Sequence, residues 1–362
     1  MAPHHFLQPK PFSPPPRNRI AAAMRRLPVY LLLDCSESMV GEAIDSVDYG
    51  VKTLVDALRS DPHALETAWL SIITFSHHAQ QVVPLKELID VQVPKLFPGP
   101  GTSLGKALTM LRDCIQREVR NTTPDQKGDY RPLVFLLTDG HPTDDWQEIK
   151  QSVDRMTSPR IANFYAIGCG EDIDFDMLND VADVVFKMSD MSPASLKKLF
   201  IWLTASVQNA SSGINASDDY QGIDISKKPS ELTEVPRGSH QRYTGPPLQV
   251  FLKAYCINEA LPYLMRFRLN HEYGLYEPIN AHKLPNESEG GGVFDTPSIN
   301  ASQLMGPAPC PHCPNSTAGL CGCGALMCLP EDPPPIVICP RCNQQIGMSD
   351  SGGDFTLQQS AG

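Results

Sequence analysis

The sequence predicts an α/β protein: a doubly wound, mostly parallel sheet with flanking helices, followed by a small β-rich module dense in cysteine. Three observations carry this expectation. Short apolar runs alternate with amphipathic helical patterns from residue 28 to about 210. A Ser-, Asn-, Asp- and Gly-rich stretch over 211–242 follows them. Paired Cys-Pro-x-Cys segments then occur at 310–313 and 339–342. Parallel strands need long crossovers, usually helices, so strand–helix alternation points to a parallel sheet.

The 362 residues suit two domains at about 150 residues each. Hydrophobic content of 41% supports a real core and excludes a wholly disordered chain. The 34 prolines demand substantial loop. No stretch approaches 18 consecutive apolar residues, so no membrane span is expected. The N-terminus lacks the apolar segment of a signal peptide, and a cytoplasmic, reducing setting is expected. There, 11 cysteines read as including metal ligands rather than as a disulfide framework. The net charge is −11, and the first 28 residues hold five basic side chains and no acid. The acidic remainder is a poor non-specific nucleic-acid binder and suits a cation or a basic partner surface.

The elements follow in order. Residues 1–25 are Pro- and Arg-rich without periodicity and read as a disordered extension, with Met24 a candidate start. The first domain is expected over 26–210, a linker over 211–242, the second domain over 243–347 and a tail over 348–362. Val29-Tyr30-Leu31-Leu32-Leu33 is a strand buried on both faces. Ile44, Val47, Val51, Leu54, Val55 and Leu58 recur at helical spacing. Trp69–Phe75 is a strand, and Ala79–Val83 pairs with it through His77-His78. Leu104, Leu108, Leu111, Ile115 and Val119 mark a helix, and Leu133–Leu137 a core strand. A helix is expected over 144–156, and strands at Phe164–Ile167 and Val184–Phe186. A last helix opens with Ser192 as N-cap and Pro193 at its first position. Apolar segments over 243–284 read as a hairpin of the second domain.

Asp34-Cys35-Ser36-Glu37-Ser38 follows the first strand without a gap. Thr102 sits in a Gly/Pro-rich loop entering a helix, and Asp139 follows the 133–137 strand. All three segments belong at the carboxyl edge of the sheet, where open α/β sheets bind ligands. Two carboxylates and three hydroxyls are hard donors, suited to Mg2+ and poor for Zn2+.

Asp-x-Ser-x-Ser with a distal Thr and a distal Asp before Gly resembles the metal-ion-dependent adhesion site of von Willebrand factor A domains. Asp34, Ser36, Ser38, Thr102 and Asp139 match every position of it. Within that family, the segments Leu27–Asp34 and Thr138–Asp144 resemble the tellurite-resistance TerY proteins. The resemblance implies a Rossmann-like A domain holding Mg2+, Mn2+ or Ca2+. In it Ser36, Ser38 and Thr102 ligate directly, Asp34 and Asp139 act mostly through waters, and a partner's carboxylate takes the open position. It also implies a bacterial stress-response protein associated with a protein kinase and a PP2C-type phosphatase. Glu37 departs from the family's usual Gly.

Enzyme motifs fail on inspection. The apparent phosphate loop near Lys106 lacks both the preceding Gly and the following Ser or Thr. His141 is the sole obvious candidate base. A non-enzymatic adaptor is therefore expected, with a cation-dependent enzyme or a nucleic-acid-associated ribbon as the alternative.

Two knuckles of the Cys310-Pro-His-Cys313 type turn thiolates toward a point, and two such knuckles close a zinc site. The preferred ligand set is Cys310, Cys313, Cys339 and Cys342 on one structural Zn2+ in a zinc-ribbon-like domain. Cys321, Cys323 and Cys328 lie between and are further candidates. A treble-clef alternative has Cys323 and Cys328 complete the first knuckle, and His312 or His282 is a candidate eighth ligand. Cys35, Cys114, Cys169 and Cys256 read as buried small hydrophobes. From 306 onward Arg341 is the only Lys or Arg, which argues against nucleic acid. This tail resembles the cysteine-rich C-terminal domain of longer TerY-like proteins.

Overall fold

The computed structural model describes residues 25–124, 127–140, 142–143, 160–169, 173–213, 223–238, 246, 249–284, 298–347 and 356–358. Strand β1 (Leu27–Asp34) is followed by helix α1 (Glu42–Ser60), the short α2 (Pro62–Thr67), β2 (Ala68–Phe75) and β3 (Ala79–Glu87). Then come α3 (Leu104–Glu118), β4 (Leu133–Thr138), β5 (Asn163–Cys169), α4 (Phe175–Val181), β6 (Val184–Met188), α5 (Pro193–Gly213) and β7 (Leu232–Glu234). The seven described strands form one sheet in the order β3-β2-β1-β4-β5-β6-β7. The five inner strands run parallel, and β3 and β7 cap the edges antiparallel. The order reverses between β1 and β4, so their carboxyl ends face a crevice where ligands bind in such sheets.

β1 is apolar along its whole length because both of its faces are covered. Leu31 and Leu33 join the core under α1 and α5, with Val47, Val51, Leu54 and Leu203. Tyr30 and Leu32 point the other way, into the core with Leu104, Leu108, Leu111 and Val134. Side chains alternate across a strand, so a residue needed on each face leaves no polar position. Each such leucine, fully buried, contributes about 1.5–3 kcal/mol. Ser192 begins α5 as expected, its Oγ accepting from the Ser195 N–H at 3.3 Å.

The second unit holds β8 (Gln249–Tyr255), β9 (Pro262–Asn270), β10 (Leu275–Lys283), β11 (Ser298–Asn300), β12 (Thr317–Leu320), β13 (Leu326–Leu329), β14 (Ile336–Ile338), β15 (Gln345–Gly347) and β16 (Thr356–Gln358). Its main sheet runs β10-β9-β8-β13-β12. Val250, Leu252, Tyr263, Met265 and Phe267 form its core. The contact between β8 and β13 is parallel, pairing Ala254 with Leu326 and Tyr255 with Met327.

The sequence-based boundaries need three corrections. The stretch read as linker supplies β7, where Leu232 is buried and pairs with Met188. Three residues are too few for a legible period. The hairpin expected over 243–284 is three strands of a five-stranded sheet. The stretch read as tail supplies β16, whose Leu357 pairs with Ile299 of β11 and is buried. Of the extension expected over 1–25, residues 1–24 lie outside the described residues, as does the helix expected over 144–156, whereas Arg25 is ordered, its Nε donating to Gly128 O at 2.8 Å. Among the described residues no helix is long and apolar enough to cross a membrane.

Candidate functional site: a cation edge and two thiolate clusters

Backbone hydrogen bonds lock three loops together at the carboxyl end of β1. The N–H of Cys35 donates to Phe75 O at 2.8 Å, that of Gly99 to Cys35 O at 2.8 Å, and that of Ser103 to Ser76 O at 2.7 Å. The predicted oxygen donors therefore meet. Ser36 Oγ and Ser38 Oγ lie 2.8 Å apart. Ser38 Oγ donates to Asp139 Oδ1 at 2.6 Å. Asp34 is held from both sides, by the Ser36 N–H at 2.8 Å and by Thr138 Oγ1 at 2.5 Å. Thr102 is tied to the far loop, its N–H donating to Thr143 Oγ1 at 3.1 Å. A Cβ on Gly140 would sit 3.4 Å from Thr102 Oγ1 and 3.6 Å from Ser38 Oγ, so the missing side chain keeps the space beside the hydroxyls open.

These residues fit a hard divalent cation. The donor set is all oxygen, and Asp34, Ser36, Ser38 and Thr102 are each at most 7% exposed. Burial raises the Asp34 carboxyl above its ordinary value, against the pull of the Thr138 and Ser36 donors. Asp139 is raised by burial first and by the Asp34 charge second. Two carboxylates pushed toward their neutral forms want a positive charge between them. Thr138, which the sequence reading missed, orients Asp34. Its signal was its place beside Asp139, where the β1–β4 register of Leu33 with Leu137 brings it next to Asp34. Glu37 is buried at 6% exposure rather than standing in solvent. Lys106, the lysine of the apparent phosphate loop, donates to His77 O at 2.9 Å and so braces the β2–β3 turn. His141 lies outside the described residues.

The cysteines assemble differently from the expectation. Cys310 and Cys313 do not meet Cys339 and Cys342. Instead Cys256, Cys310, Cys313 and Cys328 form one group and Cys321, Cys323, Cys339 and Cys342 another, each with its sulfurs within 4.8 Å of one another. Cys313 and Cys328 Sγ are 3.6 Å apart, and Cys323 and Cys339 Sγ are 3.8 Å apart. A tetrahedron with zinc–sulfur bonds of about 2.3 Å has edges of roughly 3.8 Å, so both sets fit Zn2+. The reason is topological. Pairing β13 with β8 carries Cys328 to Cys256, just past the end of β8. Backbone and amide N–H groups aim at the sulfurs, as from Ile257 and Asn315 to Cys328 Sγ at 3.4 and 3.5 Å. Burial opposes ionisation of Cys339, yet N–H donors from Cys342 and Arg341 draw it down to about 7.

Cys256, read from sequence as a small hydrophobe, thus completes a four-sulfur set. Neither histidine is the eighth ligand. His312 packs on Pro262 O at 3.2 Å and Glu259 at 3.5 Å, and His282 lies against Gly41. Cys35, Cys114 and Cys169 are buried and free, as expected.

A switch-point sheet whose edge gathers these five oxygen donors defines a von Willebrand factor type A domain, and residues 29–200 match the model of that family. Residues 248–362 match the TerY-C metal binding domain. Together the two matches are those of an A-domain protein of the TerY type with a C-terminal metal-binding domain. It is similar to inter-alpha-trypsin inhibitor heavy chain H2 of Mus musculus, at 25% identity over 221 residues. That match covers 54% of this chain and 20% of the relative, so the chain spans about a fifth of that protein. Among solved structures it is similar to a von Willebrand factor type A protein from Catenulispora acidiphila, at 21% identity and a TM-score of 0.42, covering 51% of this chain and 43% of that one. It is also similar to proximal thread matrix protein 1 of the mussel byssus with a zinc-occupied MIDAS motif, at 19% identity and a TM-score of 0.37, covering 51% and 48%.

Proposed function

We propose that the chain is a non-enzymatic adaptor that captures a protein partner through a cation held at the A-domain edge. The observation behind this reading is the run from Ser36 through Ser38 to Asp139, with Asp34 held on the Ser36 N–H and Thr102 Oγ1 beside Gly140. Three neutral hydroxyls against two carboxylates leave a bound Mg2+ or Mn2+ electrophilic and able to accept a partner's carboxylate. Ser36, Ser38 and Thr102 present the hydroxyls. Thr138 and the Ser36 N–H fix Asp34, and Ser38 fixes Asp139, so the site is built before a ligand arrives. The two cysteine sets offer four sulfurs each and no open position, which suits structural Zn2+. The partner is a protein presenting an acidic side chain. The resemblance to TerY proteins favours a kinase or PP2C-type phosphatase of a cytoplasmic tellurite or chemical-stress system.

The test uses the zinc-loaded full chain as bait in extract containing Mg2+. A partner retained with Mg2+ should be released when the buffer lacks divalent cations, and folded Asp34→Ala chain should fail to retain it. Equal retention by wild type and folded Asp34→Ala, with or without Mg2+, would overturn the reading.

A further inference from the structure

The two cysteine sets are not equally shielded. In the first, Cys256, Cys310 and Cys328 are buried and only Cys313 is partly open. The three buried ones belong to the same core as Val250 and Phe267 of the main sheet. In the second, Cys321 and Cys339 are buried, Cys342 is partly open, and Cys323 stands exposed.

The exposure of Cys323 follows from the turn between β12 and β13. The N–H of Gly324 donates to Cys321 O at 2.8 Å, and that of Cys321 to Ala325 O at 2.9 Å, so the chain doubles back with Cys323 at its tip. Gly324 holds φ +84°, a conformation that glycine adopts without strain. Among the described residues, chain neighbours aside, nothing lies within 4 Å of where a Cβ on Gly322 or Gly324 would stand. A small reagent can therefore approach from either side. The Cys323 sulfur is nonetheless part of the set, 3.8 Å from Cys339 Sγ, and Cys321 Sγ and Cys342 Sγ are 3.7 Å apart.

Little else holds this corner of the domain. Besides Cys321 and Cys339, its core is Ala325, Met327, Leu329 and Val337, and of these only Val337 comes from β14–β15. Ile336 and Ile338 of β14 face outward and are exposed.

We propose that Cys323 is an oxidation site through which a peroxide ejects the zinc of the second cysteine set alone. The inference rests on the zinc reading of the cysteine sets. A metal-bound thiolate remains a nucleophile, and exposure decides which one meets the reagent. Cys323 Sγ attacks one peroxide oxygen. The S–O bond forms, the O–O bond breaks, and the leaving hydroxide takes a proton and becomes water. The sulfenic acid no longer offers zinc a thiolate. Cys339 Sγ then attacks the sulfenic sulfur, the S–S bond forms, and a second hydroxide leaves and is protonated to water. Two thiolates have given up two electrons and the peroxide has gained them. Cys321 and Cys342 are too few to hold the ion, which departs, and β14–β15 comes loose. The first set keeps its ion, and with it the short contact between β8 and β13.

Hydrogen peroxide is the probe, added to the full chain purified under reducing conditions and then freed of reductant. A chromogenic chelator reads released zinc, differential alkylation with mass spectrometry maps the thiols, and amide exchange locates the loosened segment. One zinc should leave roughly 10-fold or more faster than the other. Dimedone present during oxidation should label Cys323, and without it a Cys323–Cys339 disulfide should form. Exchange should rise over β14–β15 and stay unchanged over β8. A thiol reductant with added Zn2+ should restore the starting state. Cys323→His keeps four ligands, since three cysteines and one histidine also hold zinc, and it should slow loss of the faster ion by roughly 10-fold or more. Loss of both ions at one rate, earlier loss from the first set, or the first sulfenic acid on another cysteine would overturn the proposal while leaving the zinc sites standing. A wild-type chain that holds no zinc would overturn the zinc reading itself, and this inference with it. Should Cys323→His fail to bind its second ion, the wild-type release rates and the position of the sulfenic acid decide the matter.

Discussion

Ser38 donates its hydroxyl to Asp139 at 2.6 Å, joining two residues 101 positions apart in the chain. The bond binds the loop after β1 to the end of β4, and it places a neutral ligand beside a charged one. Ser38→Ala should therefore cost cation affinity more than fold. A hydrogen bond to a charged group contributes about 1.5–3 kcal/mol, which corresponds to roughly 10- to 100-fold in Mn2+ affinity. Calorimetric titration with Mn2+ reads this directly. A Ser38→Ala protein with wild-type affinity would show that the hydroxyl is not a ligand.

The same pair of carboxylates sets a pH dependence. Without a divalent cation, Asp34 is raised to about 6 and Asp139 to about 7, from 3.8. Their folded values lie above the unfolded ones, so the folded state binds more protons in between. The pair's contribution to stability is thus fully present below about pH 4 and is lost as pH rises through 6 to 7. The urea midpoint of zinc-loaded protein without Mg2+ should fall across that window. Added Mg2+ should remove the fall, and Mg2+ affinity should weaken on acidification through it. Asp34→Asn/Asp139→Asn, compared with wild type, isolates the pair from other carboxylates. A midpoint with the same pH profile in both proteins would contradict the assignment.

Arg26 anchors the entry to β1. Its guanidinium bonds both oxygens of Asp129 and the Glu118 carbonyl, and stacks on Trp69 at 4.4 Å. The two charged side chains are 9% and 2% exposed. Arg26→Ala leaves Asp129 buried without its counter-charge, an arrangement that costs about 3–5 kcal/mol. Thermal denaturation should show a fall of several degrees in the A-domain transition. Arg26→Ala with an unchanged transition would mean the pair is not buried in solution.

The cation edge was legible because its chemistry follows the strands directly. Asp34 ends an apolar run, Ser36 and Ser38 alternate after it, and Asp139 follows the one strand beside β1 in the reversed order. The zinc partners were not legible. Spacing pairs Cys310 with Cys313 and Cys339 with Cys342, but which knuckle meets which other cysteine depends on a parallel contact between β8 and β13 of only two residue pairs. No local pattern records such a register. Cys256 escaped for the same reason, standing alone in sequence 54 positions before the first knuckle. His282, a candidate zinc ligand by sequence, lies instead against Gly41 of the A domain, a contact that no local pattern records.

The two cysteine sets give the sharpest division between the sequence expectation and the structure. If Cys310, Cys313, Cys339 and Cys342 shared one ion, Cys256→Ser would leave zinc content unchanged. With the observed sets, Cys256→Ser should lose one of two zinc ions, and Cys342→Ser should lose the other. The two variants should also fail in different places. Cys256 and Cys328 link β8 to β13, where backbone pairing is short, so Cys256→Ser should loosen the β12–β13 hairpin. Amide exchange over Leu326–Leu329 should rise, because ligation supplies folding energy that little else in this part of the domain provides. Cys342→Ser should instead release the β14–β15 hairpin, where Val337 is the main buried apolar side chain. The A-domain transition should hold in both, since neither cluster contributes to its cores. Elemental analysis of reduced protein supplies the zinc count, and exchange mass spectrometry supplies the location. Retention of both ions by Cys256→Ser would remove Cys256 from the first set and return that site to three sulfurs and an outside ligand.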